Sequence, residues 1–429
     1  MMNLNKSSSL SFAVMLFTFL FISCEKESGE LFDDSLSNPA YSADIIETVW
    51  SSSVDFSTEY ETFISSATST NNMLLLRSSK KTYAYASNDG EFLWSIDNIY
   101  DQSKRQIETT TLEDRIFFYS FKDRRNSLLG FNTNTGVLED IIYFDEFPDI
   151  VGSISKYTFF ESSVYLVSYM PNQTIDDLDD FSLFIYEYNI KTNEVSLIFQ
   201  NEQVFKPYFE EIPELAINYD GTAIYYPYFE KLDKNVFKIE IVEIPFDGQQ
   251  EKVVVQDVIN INFLIGLRAN TFAVQGNYLI LNYSSGVEKS LRAYNLNRNG
   301  ELLWKRNSSL TPQFYMGNLY LIQVTNSGPL IQVDIKTGSN LWRYNGSVSL
   351  DHFTFINGKP LAAEITFGIK NISILDLNTG NSLINLSIED LGVLRPNDTF
   401  VRRAHSFNNG EELIVITREG GLFSLKLPF

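Results

Sequence analysis

Few residues in this chain could do chemistry, and their spacing limits what that chemistry could be. The 429 residues include one cysteine, Cys24, and two histidines, His352 and His405. A Ser-His-Asp relay needs a histidine beside a nucleophile signal. Neither "DHFTF" nor "RRAHSF" carries one, so both histidines read as core or channel-wall residues. Two histidines and one cysteine leave no zinc site. The densest carboxylate run, Asp176-Asp177-Leu178-Asp179-Asp180, offers oxygen ligands of the kind Ca²⁺ takes. It lacks the glycine and terminal glutamate of an EF-hand loop, and a solvated loop is the simpler reading. Arg268, Arg402 and Arg403 fall on predicted inner strands. Arginine there can grip a carboxylate or phosphate by paired hydrogen bonds, or pair internally with neighbouring acids. No catalytic, cofactor or metal site can be assigned residue by residue.

Cys24 has a position that gives it a role. Lys6 is the only charge before it, and Leu10 to Ile22 is an apolar run too short to span a bilayer but right for a signal h-region. The run ends in "LFISC", which resembles the bacterial lipoprotein cleavage box with Phe21 in place of the usual leucine. Residues 1–23 are therefore expected to be a lipoprotein signal peptide, and Cys24 the lipidated first residue of the mature chain. Residues 24–44, rich in Ser, Asp, Glu, Asn and Pro, read as a flexible tether. The implied location is the outer membrane of a Gram-negative cell, lipid-anchored, on a side the sequence does not specify. Asn-x-Ser/Thr triplets, such as those at Asn172, Asn282 and Asn345, are chance matches in a bacterial lipoprotein.

The net charge is −21, from 54 acids against 33 bases. That argues against nucleic acid or an anionic membrane surface as a partner.

What must position any site is a repeated phrase. "YNLNRNGELLW", "VDIKTGSNLW" and "LDLNTGNSLI" each give an alternating strand, an Asp/Asn turn ending in glycine, and a second apolar strand. The turn residues Gly90, Gly136, Asn193, Gly248, Gly300, Gly338 and Gly380 recur at spacings of 46, 57, 55, 52, 38 and 42 residues, the range of propeller blades. A second hairpin precedes each phrase, with turns such as Asp220-Gly221, Gly276-Asn277, Gly317-Asn318, Asn357-Gly358 and Asn409-Gly410. One unit is thus four strands, A to D. The C-terminal "EELIVITREGGLFSLKLPF" supplies strands B and C of a last blade, and "IIETVWSSSVDF" supplies its strand D from the N-terminus. Strand A of the first blade follows as "ETFISSAT". The reading is all-β: a single β-propeller over residues 45–429 with eight four-stranded blades, closed by the N-terminal strand. Seven blades is the alternative, if one middle blade is misread.

The A–B turns are tight, but the B–C connections are uneven. "TNSG" at residues 325–328 is short, whereas "FKDRRN" (121–126), "MPNQTIDDLDDF" (170–181) and "FEKLDKN" (229–235) are longer and fall in consecutive blades on one face. Long loops in compact domains are often functional. The expected recognition surface gathers Arg124, Arg125, Asp176, Asp177, Glu230 and Lys231; the competing reading is neutral loop drift. The inner-strand residues Arg268, Arg402, Arg403 and His405 are the expected lining of the central channel.

The unit Asp334-Ile335-Lys336-Thr337-Gly338-Ser339-Asn340-Leu341-Trp342 resembles the repeat of quinoprotein-type propellers. That superfamily includes pyrroloquinoline-quinone dehydrogenases and a cofactor-free lipoprotein of the outer-membrane β-barrel assembly machinery. WD-repeats fit poorly, because neither histidine follows a glycine. The quinone enzymes use adjacent cysteines, calcium ligands and an Asp base, and a chain with Cys24 alone has no such cysteine pair. The resemblance implies a non-catalytic platform without cofactor, with an envelope or outer-membrane protein as partner. Capture of glycan or peptide for uptake is the alternative, and a quinone-dependent dehydrogenase the third reading.

Overall fold

The computed structural model describes residues 41, 46–54, 64, 66–70, 72–98, 108–122, 125–172, 181–204, 216–217, 221–233, 236–246, 249–260, 268–284, 289–323, 328–349, 352–365, 371–387, 401–407 and 410–429. For Lys122, Lys231 and Arg268 it describes the backbone alone.

The alternating segments pair into 32 strands and eight separate four-stranded antiparallel sheets. Eight blades, not seven, make the ring. Seven sheets take their strands in chain order. The last combines Val401–Phe407, Glu412–Thr417 and Gly421–Lys426 with the N-terminal Glu47–Ser53 at its outer edge. Trp50 pairs with Ser424 and Ser53 with Gly421. The Tyr85 hydroxyl of blade 1 then donates to the Ser53 carbonyl. Apolar side chains form eight clusters, each shared by two neighbouring blades. Leu74, Tyr83 and Tyr85 of blade 1 meet Ile414, Ile416 and Leu422 of blade 8, so the ring of cores is continuous. Burial between blades, rather than within one sheet, is what a four-stranded unit too small to bury its own faces requires.

The repeated phrase has a definite geometry. Asp334 Oδ1 accepts the backbone N–H groups of Lys336 and Thr337 at 2.9 and 2.8 Å, and these donors hold its carboxyl below the usual carboxylate range. Asn132 and Asn189 do the same in their own blades. The chain then needs one left-handed residue, found at Gly90, Gly136, Asn193, Gly300, Gly338 and Gly380 with φ between 59° and 76°. Gly248 lies outside the described residues.

A few residues later, strand D skips one residue of its ladder in every blade. The bulged residues are Val49, Leu93, Glu139, Ile198, Val254, Leu303, Leu341 and Leu383. A bulge re-aims the side chain beside it. In four blades that side chain is a tryptophan, and it lands on the turn glycine of the next blade. A Cβ on Gly90, Gly136, Gly338 or Gly380 would stand 2.4–2.8 Å from the ring of Trp50, Trp94, Trp304 or Trp342. The indoles of Trp94, Trp304 and Trp342 donate to the carbonyls of Thr133, Ile335 and Leu377. The glycine is required twice, for its φ and for the close approach of the ring.

Two boundaries differ from the sequence reading. Strand A of blade 1 is Ser66–Thr70, later than "ETFISSAT". Ile64 is fully buried and its N–H bonds the Arg418 carbonyl, so an apolar residue that reads as strand is instead a plug before it. In blade 6 the left-handed pair is Met316-Gly317, and Asn318 already begins the next strand, because Tyr315 pairs with Asn318 across the turn.

Candidate interaction face

Every strand B starts at the same level, opposite the end of its own strand C at the C–D turn. Met73 faces Ala86, Ser163 faces Asn189 and Ala223 faces Pro245. The strands do not end at one level. From blade 1 to blade 8 they run 5, 8, 9, 11, 7, 5, 5 and 6 residues. At about 3.4 Å per residue, the six extra residues of Ala223–Asp233 lift blade 4 by about 20 Å over the shortest blades. Strands C and D rise with strand B in blades 3 and 4. Phe181 pairs with both Pro171 and Val204, and Val236 with both Asp233 and Asn260. Three-stranded arms therefore stand on the B–C face, in a ramp that peaks at blade 4.

The sequence reading put this extra length into loops, and the structure corrects it. Phe121 pairs with Asn126 and Lys122 with Arg125, so "FKDRRN" is the end of a hairpin with only residues 123–124 between its strands. Glu230 and Lys231 sit inside strand Ala223–Asp233, opposite Lys238 and Phe237. Only the connection of blade 3 is left as a long segment, and Asp176 and Asp177 lie in it, outside the described residues, as do Arg124 and Cys24.

Hydrogen-bonded charge networks hold the arms. The Arg125 guanidinium donates to both carboxylate oxygens of Asp145 at 2.8 and 2.7 Å and to Glu146 at 2.9 Å, and lies 3.7 Å from the centre of the Tyr143 ring. The Asp145 and then the Glu146 hydrogen bonds raise the Arg125 pKa, and Arg125 lowers that of Asp145. Arg125 is thus committed within its own blade. In blade 4, Lys238 Nζ lies 2.8 Å from both Glu230 and the buried Glu240. Glu240 also accepts from the Tyr228 hydroxyl at 2.6 Å and from Gln256 at 2.7 Å. Burial, then the Glu240 hydrogen bond, pushes the Tyr228 hydroxyl up. Between blades 3 and 4, the buried hydroxyls of Tyr169 and Tyr226 meet at 2.7 Å.

Apolar side chains stand at the arm ends. Phe121 is 60% exposed, Met170 38% and Leu232 49%, and each is the last residue but one of its strand B. In blades 1, 6, 7 and 8 the corresponding residues Leu76, Leu321, Glu364 and Ile416 are buried.

Of the residues expected to line the channel, three lie on one inner strand. Arg402, Arg403 and His405 share strand Val401–Phe407 of blade 8, with Arg403 buried and the other two half-buried. Arg268 begins strand A of blade 5, and its side chain is outside the described residues. The His352 ring lies 3.4 Å from the Arg402 carbonyl. Among the described residues, no group of three His, Cys, Asp or Glu is placed to hold a metal ion.

No protein-family model matches the chain, and no curated protein matches its sequence. The fold is that of an eight-bladed β-propeller. Among solved structures it is similar to BamB from Moraxella catarrhalis, with 12% identity over 90% of this chain and 98% of that one and a TM-score of 0.50. The C-terminal WD40 domain of Sif2 also matches, with 10% identity over 90% and 99% of the two chains and a TM-score of 0.49. Chaetomium thermophilum Raptor matches with 12% identity over 86% of this chain and 28% of that one, TM-score 0.41. At these identities the likeness to BamB bears on the fold alone.

Proposed function

We propose that the chain is a non-catalytic propeller that serves as a protein-binding platform, with the arms of blades 2 to 4 as its contact element. The observation that carries this is the ramp of strand B, with Phe121, Met170 and Leu232 exposed at equivalent places in three consecutive blades. A closed propeller needs no such arms for its own cores, and exposed apolar residues grouped on one raised face mark interaction sites. The resemblance of the turn phrase to the repeat of quinoprotein-type propellers, whose superfamily includes the barrel-assembly lipoprotein, supports the same reading. The platform is anchored through lipid on Cys24 at the outer membrane, and its partner is an envelope protein.

The test is photo-crosslinking in intact cells, with a benzophenone amino acid at Met170 or Leu232 and, as control, at the exposed Leu302 on the outer edge of blade 5. Discrete adducts are expected from the arm positions and not from Leu302. The Met170 adduct should vanish in a Phe121→Ser/Leu232→Ser background and the Leu232 adduct in a Phe121→Ser/Met170→Ser background, each unfolding at the same denaturant concentration as the parent. Adducts from all three sites alike, or from none, would remove the arms as the contact element.

A further inference from the structure

Four joints between blades place a tryptophan over the turn glycine of the next blade, and they are not alike. The indole N–H of Trp94 donates to the Thr133 carbonyl at 2.6 Å, that of Trp304 to Ile335 at 2.8 Å and that of Trp342 to Leu377 at 3.1 Å. Trp50 Nε1, in the joint between blades 8 and 1, is buried and has no partner among the described residues. The rings slide in the same order. The ring atom nearest to where a Cβ on the glycine would stand is Cγ in Trp94, Cδ2 in Trp304 and Cε3 in Trp342. In Trp50 it is Cε3 with Cζ3 close behind, at the far corner of the six-membered ring. Of the four glycines, Gly90 therefore lies furthest from the indole nitrogen.

The turn that receives Trp50 is also built differently. Gly90, Gly136, Gly338 and Gly380 each donate their N–H to the carbonyl four residues back, of Ala86, Asn132, Asp334 and Asp376. In three of these turns the side chain at that position is a cap. Asn132 accepts from the N–H groups of Asn134 and Thr135, Asp334 from those of Lys336 and Thr337, and Asp376 from that of Asn378. Ala86 has no side chain that could do so. Ser87, which stands where Thr133, Ile335 and Leu377 stand, is fully buried, and its hydroxyl has no partner among the described residues. Three local departures thus meet in one joint, the joint made by the ring-closing strand.

A buried donor left unbonded is costly, so a neighbouring arrangement in which the Trp50 N–H reaches the Ser87 carbonyl is close in energy. The strand itself is not free to travel. Its ladder runs from Glu47 opposite Lys426 to Ser53 opposite Gly421, and the Val54 N–H donates to the Gly420 carbonyl. Upstream, the Tyr41 N–H donates to the Leu383 carbonyl. What can move is the Trp50 side chain and the uncapped turn from Ala86 to Gly90.

We infer that the ring-closing joint is a latch with two positions. In the open position, the one described, Trp50 lies on Gly90 without a hydrogen bond. In the shut position its N–H donates to the Ser87 carbonyl, a second bond between the closing strand and blade 1 beside that of the Tyr85 hydroxyl to Ser53. The ring is closed in both positions, and they differ in how firmly the last strand is held. The missing cap at Ala86 keeps the open position populated. This inference does not depend on the platform reading.

The test is hydrogen exchange of the four indole N–H groups, followed by NMR on the mature full-length protein made with isotope-labelled tryptophan. Trp50→Phe identifies the Trp50 signal. Trp50 should exchange at least about tenfold faster than Trp94, Trp304 and Trp342. Ala86→Asp supplies the missing cap and should slow Trp50 by about tenfold, leaving Trp304 and Trp342 as they were. Conversely, Asp376→Ala removes the cap beside Trp342 and should speed that indole by about tenfold. A Trp50 signal as slow as the other three in the parent protein overturns the inference. So does a Trp50 rate that Ala86→Asp leaves unchanged. Should Ala86→Asp not fold, Asp376→Ala decides, and an unchanged Trp342 rate overturns the inference.

Discussion

At the scale of single residues, the contact that recurs is tryptophan on glycine. Trp342 lies over Gly380 of the next blade, where an added Cβ would come within 2.6 Å of the ring. Trp342→Ala removes a half-buried indole and its hydrogen bond to Leu377, and should cost about 3 kcal/mol. Gly380→Ala forces a left-handed φ of 76° on alanine and drives Cβ into the indole, for about 1–3 kcal/mol. The two losses should not add. With the indole gone the collision is gone, so Gly380→Ala should cost less in a Trp342→Ala background, by an amount that urea unfolding of all four proteins measures. Strict additivity would show that the ring and the glycine are neighbours without being coupled.

At the scale of elements, closure depends on one strand. Removing residues 46–53 strips the partner from Gly421–Lys426 and Trp50 from Gly90, and leaves a bare edge. Calorimetry should then show a broadened, low-temperature transition or aggregation, while removal of residues 25–38 should leave the midpoint in place. Equal midpoints for the two truncations would count against closure. This element was legible in the sequence because its cues are local. Trp50 follows the same spacing as Trp94, and left-handed turns demand Gly or Asn after an Asp or Asn cap. The arms were not legible as strands. Their ends are wet on both sides, so Glu230, Lys231 and Asp233 have the composition of a loop. What makes them strand is the cross-strand opposition of Glu230 to Lys238, a pairing that the alternation of apolar and polar residues along one strand does not reveal. The signal that did exist was length: the intervals of 57 and 55 residues belong to blades 3 and 4. Ile64 failed for a related reason, since burial without pairing looks the same as strand in a short apolar run.

At the scale of the whole molecule, the two faces are built differently. Glu47 enters opposite Lys426, on the face of the A–B and C–D turns, and the arms rise from the other. Tyr41, assigned to the tether by sequence, donates to the Leu383 carbonyl and contacts the Phe429 ring, so the chain is already fastened before the first strand. Tyr41 and Glu47 thus both lie on the side away from the arms. Cys24→Ala should abolish palmitate labelling and move the protein from the membrane pellet to the soluble fraction; labelling that persists would refute lipidation at this residue. The shared last blade also sets an order of events. Trp50 pairs opposite Ser424, 374 residues later. At 5–20 residues per second, the strand Glu47–Ser53 waits roughly 20 to 75 s for its partner. Throughout that interval seven blades can stack, but their row has two open ends. The nascent chain is a spiral that becomes a ring only once Gly421–Lys426 has been made, and a stop before Gly421 leaves Glu47–Ser53 without its partner strand and the circle open.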